Sequence, residues 1–176
     1  MTTHGTQTTH LTTATIDADA EVPAIRITRD FRATPGQLHR AHTDPELYAR
    51  WVGPHGLSTR IDHWDARTGG SWRFTNLRRA AADQTLTGDA EEFHFIGSFH
   101  EIRPDRIVQT FTYEGFPDGV SLETLTLEDL GDGWTRLHAH SLLDSFEGRE
   151  AMLASGMEVG VHEGYASLDA LLEEEA

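Results

Sequence analysis

Residues 145–176 read SFEGREAMLASGMEVGVHEGYASLDALLEEEA, and this stretch decides the fold. Ser145 is a suitable N-cap, and Glu147 and Glu150 put negative charge near the helix start, where the dipole favours it. Met157, Val161, Tyr165, Leu168 and Leu172 follow at steps of four, four, three and four, one apolar stripe. The spacing predicts a single long helix over the whole stretch. Gly156, Gly160 and Gly164 run beside that stripe. A mid-helix glycine costs about 1 kcal/mol against alanine, so three on one side imply a surface that a sheet or a guest approaches closely. Burying five large apolar side chains at about 1.5–3 kcal/mol each outweighs that cost. The helix is the clasp of the fold.

Upstream of it the chain is mostly β. Val120–Leu130 and Trp134–Leu143 form a hairpin through Gly131-Asp132-Gly133, and Ile107–Tyr113 precedes them. Glu92–Arg103 alternates Phe93, Phe95, Gly97 and Phe99 against His94, Ser98 and His100. Leu57–Arg67 and Ser71–Leu77 flank a Gly69-Gly70 turn, and Ile25–Ala33 is the first strand. Between that first strand and Leu57 lie two helix starts, Thr34-Pro35 and Asp44-Pro45-Glu46, each an N-cap followed by proline at the first helical position. Leu47, Tyr48 and Trp51 give the second short helix its apolar side, and Gly53-Pro54 ends it. Arg78–Glu91 is a polar loop with room for a short strand. The order predicts an α+β domain: an antiparallel sheet of about six to seven strands packed on a long C-terminal helix. Residues 1–22, threonine-rich and without apolar period, read as a disordered tail whose first 20 residues are dispensable. Residues 23–176 are then a single domain.

Composition removes whole classes of function. The net charge is −15 and the chain has no lysine, so every basic side chain is an arginine. Such a surface repels phosphate backbones and anionic lipid, which argues against nucleic-acid binding and membrane insertion. Without lysine there is no Schiff-base chemistry, and with zero cysteines there is no disulfide, thiol nucleophile or thiolate metal site. No apolar run approaches the roughly 20 residues of a membrane helix, and the N-terminus has neither a signal core nor transit-peptide arginines, so the expected location is cytoplasmic. No G-x-S-x-G elbow, phosphate loop or dinucleotide fingerprint occurs. His138 and His140 share a strand face opposite the inward set Leu137, Ala139 and Ser141, so they face solvent, and no metal site or cofactor is expected.

Four motifs carry a resemblance. They are Thr43-Asp44-Pro45-Glu46 with Trp51 and Gly53-Pro54; Asp65-x-Arg67-x-Gly69-Gly70-x-Trp72; Gly97-x-Phe99-x-Glu101-Ile102-x-Pro104; and Ser155-Gly156-Met157-x-x-Gly160. Together, over about residues 25–173, the chain resembles the SRPBCC (START-like, helix-grip) superfamily, and more narrowly the homologues of the activator of heat-shock protein 90 ATPase. The resemblance implies a curved antiparallel sheet wrapped around the terminal helix, with a cavity between them. Members bind lipids, steroids or polyketides, and some catalyse cyclisations. A fold shared by so many functions leaves the chemistry to the site itself.

Trp51, Trp72, Phe74, Phe95, Phe99, Phe111, Tyr113, Met157, Val161 and Tyr165 are the candidate cavity wall, unless they simply fill the core. Period-two counting places Glu101 on the face of Phe95 and Phe99, and Glu123 on the face of Leu125 and Leu127. A carboxyl in an apolar cavity has a raised pKa and can transfer a proton or bind a ligand hydroxyl. The alternative pairs Glu101 with an arginine at the sheet edge and leaves Glu123 at an open mouth. Three functions follow. The first is a domain binding a small apolar or aromatic ligand. The second is a cyclase-like or hydrolase-like enzyme using Glu101, Glu123 or Tyr113. The third is a chaperone-associated interaction domain, as the family name suggests. Homodimerisation stays open.

Overall fold

The computed structural model, which describes residues 9–78 and 91–175, begins in a strand that the sequence does not announce. β1 (Thr15–Ala18) pairs antiparallel with β2 (Ala24–Phe31), Ile16 opposite Ile27. Thr15–Ala18 of the expected tail is therefore part of the sheet, and within the tail residues 1–8 lie outside the described residues. Main-chain and buried polar contacts hold this segment where its side chains offer no apolar alternation. Leu11 N–H donates to Asp30 Oδ2 at 2.9 Å, Arg29 Nε–H donates to the Thr12 carbonyl at 2.9 Å, and His10 stacks on Trp134. Deleting residues 1–20 is accordingly expected to lower the melting temperature by about 5 °C or more. An unchanged melting curve would mean that the segment does not dock.

α1 (Pro35–Thr43) begins at a capping box between Thr34 and Gln37, and α2 (Pro45–Trp51) begins at Asp44, whose carboxylate accepts from Glu46 and Leu47 N–H. β3 (Leu57–Trp64), β4 (Ser71–Arg78), β5 (Glu92–Arg103), β6 (Arg106–Tyr113), β7 (Val120–Gly131) and β8 (Trp134–Leu142) follow. The loop expected over Arg78–Glu91 falls, for residues 79–90, outside the described residues. All eight strands make one antiparallel sheet in the order β1-β2-β8-β7-β6-β5-β4-β3. The count exceeds the expected six to seven because of β1.

The single long helix is corrected. The chain forms α3 (Phe146–Ala154) and then α4 (Met157–Glu174), separated at Ser155-Gly156. Gly156 has φ 85°, a left-handed conformation that no continuous right-handed helix admits and that glycine adopts without steric penalty. Ser145 does cap α3, accepting from Gly148 N–H. The glycine ridge is corrected as well. A side chain at Gly160 would meet only Pro54, 4.0 Å away, whereas one at Gly164 would meet the Trp51 carbonyl oxygen at 3.4 Å. Close approach occurs at one glycine, and against the end of α2 rather than the sheet. Tyr165, Leu168, Leu171 and Leu172 bury the far half of α4 against Phe31, Leu38 and Trp51. Met157 and Val161, nearer the break, stay half-buried.

Candidate functional site

The inner face of the sheet divides into a fully buried part and a half-buried part. Trp72 stacks on Phe74 with ring centroids 5.4 Å apart, and Phe99 packs edge-on against Trp64 at 5.6 Å. All three of Trp72, Phe74 and Phe99 are at most 2 % exposed, so these candidate wall residues are core. Trp51 and Tyr165 are also buried, at 8 % each. Phe95 and Phe111, next along the same face, are half-buried, as are Leu125 and Ala139. Met157 and Val161 of α4, with Met152 and Leu153 of α3, are half-buried too. These side chains pack against the core from the middle strands and from the α3–α4 corner, each keeping part of its surface accessible. Tyr113, register partner of Phe95, is exposed.

Glu101 is not on this face. A β-bulge places Phe99 opposite Gln109 but Glu101 opposite Val108, so β5 advances two residues while β6 advances one. The extra residue turns Glu101 off the inner face and brings Ile102 onto it, packed against the core. The Glu101 carboxylate accepts from Arg106 Nη1 at 2.7 Å, with Arg103 Nε 3.7 Å away. Its place is in a rim ion pair. Period-two counting fails here because it assumes an unbroken ladder.

Glu123 does point inward. Its register partners are Gln109 on β6 and Ser141 on β8, and Ser121 precedes it by two on the same face. Ser141 Oγ–H donates to Oε2 at 2.5 Å and Ser121 Oγ–H donates to Oε1. Both serines are buried, at 6 % and 2 % exposure. Burial pushes the Glu123 carboxyl above the usual carboxylate range, and the two serine hydrogen bonds pull it back only in part. Among the described residues no arginine pairs with it. Tyr48 of α2 and Tyr165 of α4 are near enough to feel its charge. Burial and the nearby Glu123 carboxylate raise the Tyr48 phenol well above its ordinary pKa, and burial does the same for Tyr165. Sequence reasoning found Glu123 and the inward side of Ser141, but it used Tyr48 only as apolar surface. Ser121 and Gln109 were recoverable by counting in twos from Glu123.

The outer face of the sheet carries His94 and His138. His138 Nε2 lies 3.2 Å from Glu128 Oε2, and His94 Nδ1 lies 2.8 Å from Thr75 Oγ1. Among the described residues no three His, Asp or Glu side chains gather to hold a metal ion.

Comparison with known proteins adds the lineage. The sequence profile described as Activator of Hsp90 ATPase homolog 1-like protein matches residues 32–173. The chain belongs to that family. The family's fold recurs in solved structures. A solution structure of a protein from Arthrobacter aurescens is 26% identical, covers 91% of both chains and superposes with a TM-score of 0.77. A crystal structure from Rhodobacter sphaeroides is 25% identical over 92% of this chain and 98% of that one, with a TM-score of 0.76. A protein from Mycobacterium smegmatis, at 22% identity, covers 93% of this chain and 99% of its own, with a TM-score of 0.75. No curated protein matches. Membership in the Activator of Hsp90 ATPase homolog 1-like family thus carries the helix-grip architecture, and the chemistry has to be argued from the side chains. Among the described residues no helix is long and apolar enough to cross a membrane.

Proposed function

We propose that this domain holds a small apolar or aromatic molecule in the groove between the sheet and the α3–α4 corner. The observation that supports this reading is the partial exposure of the inner face toward the α3–α4 corner. Phe95, Phe111, Leu125, Met157 and Val161 keep accessible surface where a sheet and its covering helices would ordinarily close on one another. Exposed apolar area inside a concavity gains about 25 cal/mol per Å² when a guest covers it. N-phenyl-1-naphthylamine, whose fluorescence rises in apolar surroundings, is expected to bind saturably. Val161→Trp should fill the groove and weaken that binding about tenfold or more while the melting temperature holds. Equal probe binding by wild type and Val161→Trp at unchanged stability would sink the groove as the site.

A catalytic reading has one residue left to support it. With Glu101 in an ion pair and Tyr113 exposed, Glu123 is the remaining candidate acid on the inner face. Proton transfer would then run through that carboxyl alone. A chaperone-associated role would draw on the family description and on the acidic surface, not on the groove.

A further inference from the structure

Among the helices of the described residues, α3 alone buries no residue. It packs on α4 and β2, with Met152 and Leu153 half-buried against the core and Phe146 46 % exposed. Its firmest tie is polar. Arg149, whose side chain is 12 % exposed, donates from Nη1 to the Asp19 carbonyl in the β1–β2 turn. Its guanidinium also lies over the Phe146 ring, 5.0 Å from the centroid. α4 then starts without a side-chain cap, and Val159 N–H turns to the Gly156 carbonyl at 3.1 Å. A Cβ at Gly156 would meet nothing within 4 Å, so glycine is required there by the angle alone, φ 85°.

Such a joint has a second arrangement. With Gly156 at a right-handed angle, α3 and α4 would run on as one helix, which is what the residue pattern of 145–176 favours. The first N–H groups of α4 would then bond to α3 carbonyls, against the loss of the Arg149 tie and the Met152 and Leu153 contacts. No fully buried side chain of α3 weighs on either side of that balance. We propose that the α3–α4 corner is a two-state hinge that gates the inner face of the sheet. The bent state seen in the structure is latched by Arg149 to the β1–β2 turn. The straight state swings α3 off β2 and uncovers the half-buried apolar face to a guest. The use of the hinge as a gate rests on the reading that this face holds a small molecule; the hinge itself does not.

The chain has no cysteine, so nitroxide labels on Ala151→Cys and Glu173→Cys are the only thiol adducts. One continuous helix sets these positions about 33 Å apart along its axis, and a bend shortens the distance. Double electron–electron resonance on the labelled protein is expected to show the shorter distance as the main one. Gly156→Ala in that background should raise the ratio of long to short about five- to thirtyfold, because an L side chain disfavours the left-handed angle by that factor. Arg149→Ala should raise it about tenfold, the worth of one hydrogen bond from a charged group. N-phenyl-1-naphthylamine should associate faster with both variants than with the parent protein. A Gly156→Ala protein that keeps only the short distance overturns the hinge. A ratio that Arg149→Ala leaves unchanged overturns the latch, and this surface variant decides the matter where Gly156→Ala folds poorly. A straightened corner with unchanged probe association overturns the gate. No probe binding at all overturns the small-molecule reading and the gate together, while the distances still decide the hinge.

Discussion

Gly97→Val is expected to abolish folding or to destabilise the domain by more than about 4 kcal/mol, beyond the usual range of a single substitution. A Cβ at position 97 would sit 2.1 Å from the Thr110 carbonyl oxygen and 2.3 Å from the Trp72 ring. Neither neighbour can retreat. Thr110 is main chain in β6, and Trp72 is 2 % exposed and stacked on Phe74. Relieving the aromatic clash should not suffice, because the nearer contact is backbone. Gly97→Val combined with Trp72→Ala is therefore expected to melt no higher than Trp72→Ala alone. A Gly97→Val variant melting within a few degrees of wild type would mean that β5 and β6 do not approach as described.

Asp30→Ala is the second large effect expected, about 3–5 kcal/mol, the range seen when one partner of a buried ion pair is removed. The Asp30 side chain is fully buried. Its carboxylate accepts from Arg136 Nε at 2.7 Å and Nη2 at 3.0 Å and from Leu11 N–H at 2.9 Å, and His10 Nδ1 lies 3.6 Å away. Burial opposes its ionisation. The Arg136 and Leu11 hydrogen bonds outweigh that and hold the carboxyl below the usual range. The sign follows from linkage. A depressed folded-state pKa means the unfolded chain binds the proton more readily. The stabilisation is complete above the unfolded-state pKa of about 3.9 and is lost as pH falls through the lower folded-state value. Urea melts at pH 7 and near pH 3 measure this directly. The gap between wild type and Asp30→Ala should narrow on acidification. A gap independent of pH would assign the cost of Asp30→Ala to lost packing. Because Asp30 also holds Leu11, Asp30→Ala combined with deletion of residues 1–20 should cost less than the two separate losses added.

Local chemistry determined much of this protein. Caps at Thr34 and Asp44, each followed by proline, set the starts of α1 and α2, since the first backbone N–H groups of a helix need side-chain acceptors or no donor at all. Alternation set β5, and the Gly131-Asp132-Gly133 turn set the β7–β8 hairpin. The family was legible in motifs strung along the chain, and Glu123 in a count of twos.

Tertiary structure decided the rest. β1 forms because Asp30 and Arg29, distant in sequence, supply partners to Leu11 and Thr12, which no periodicity within residues 9–18 records. The break at Gly156 follows from a backbone angle, where composition allowed one long helix. Glu101 left the inner face through a bulge that belongs to the pairing of β5 with β6, not to either strand alone. The same limit governed the cavity wall. Trp72, Phe74 and Phe99 became core while Phe95, Phe111, Met157 and Val161 stayed half-buried, although all are apolar residues at inward positions. Periodicity assigns a side chain to a face. How far that face is filled depends on how closely α3, α4 and the sheet approach, a distance set by packing of the whole molecule.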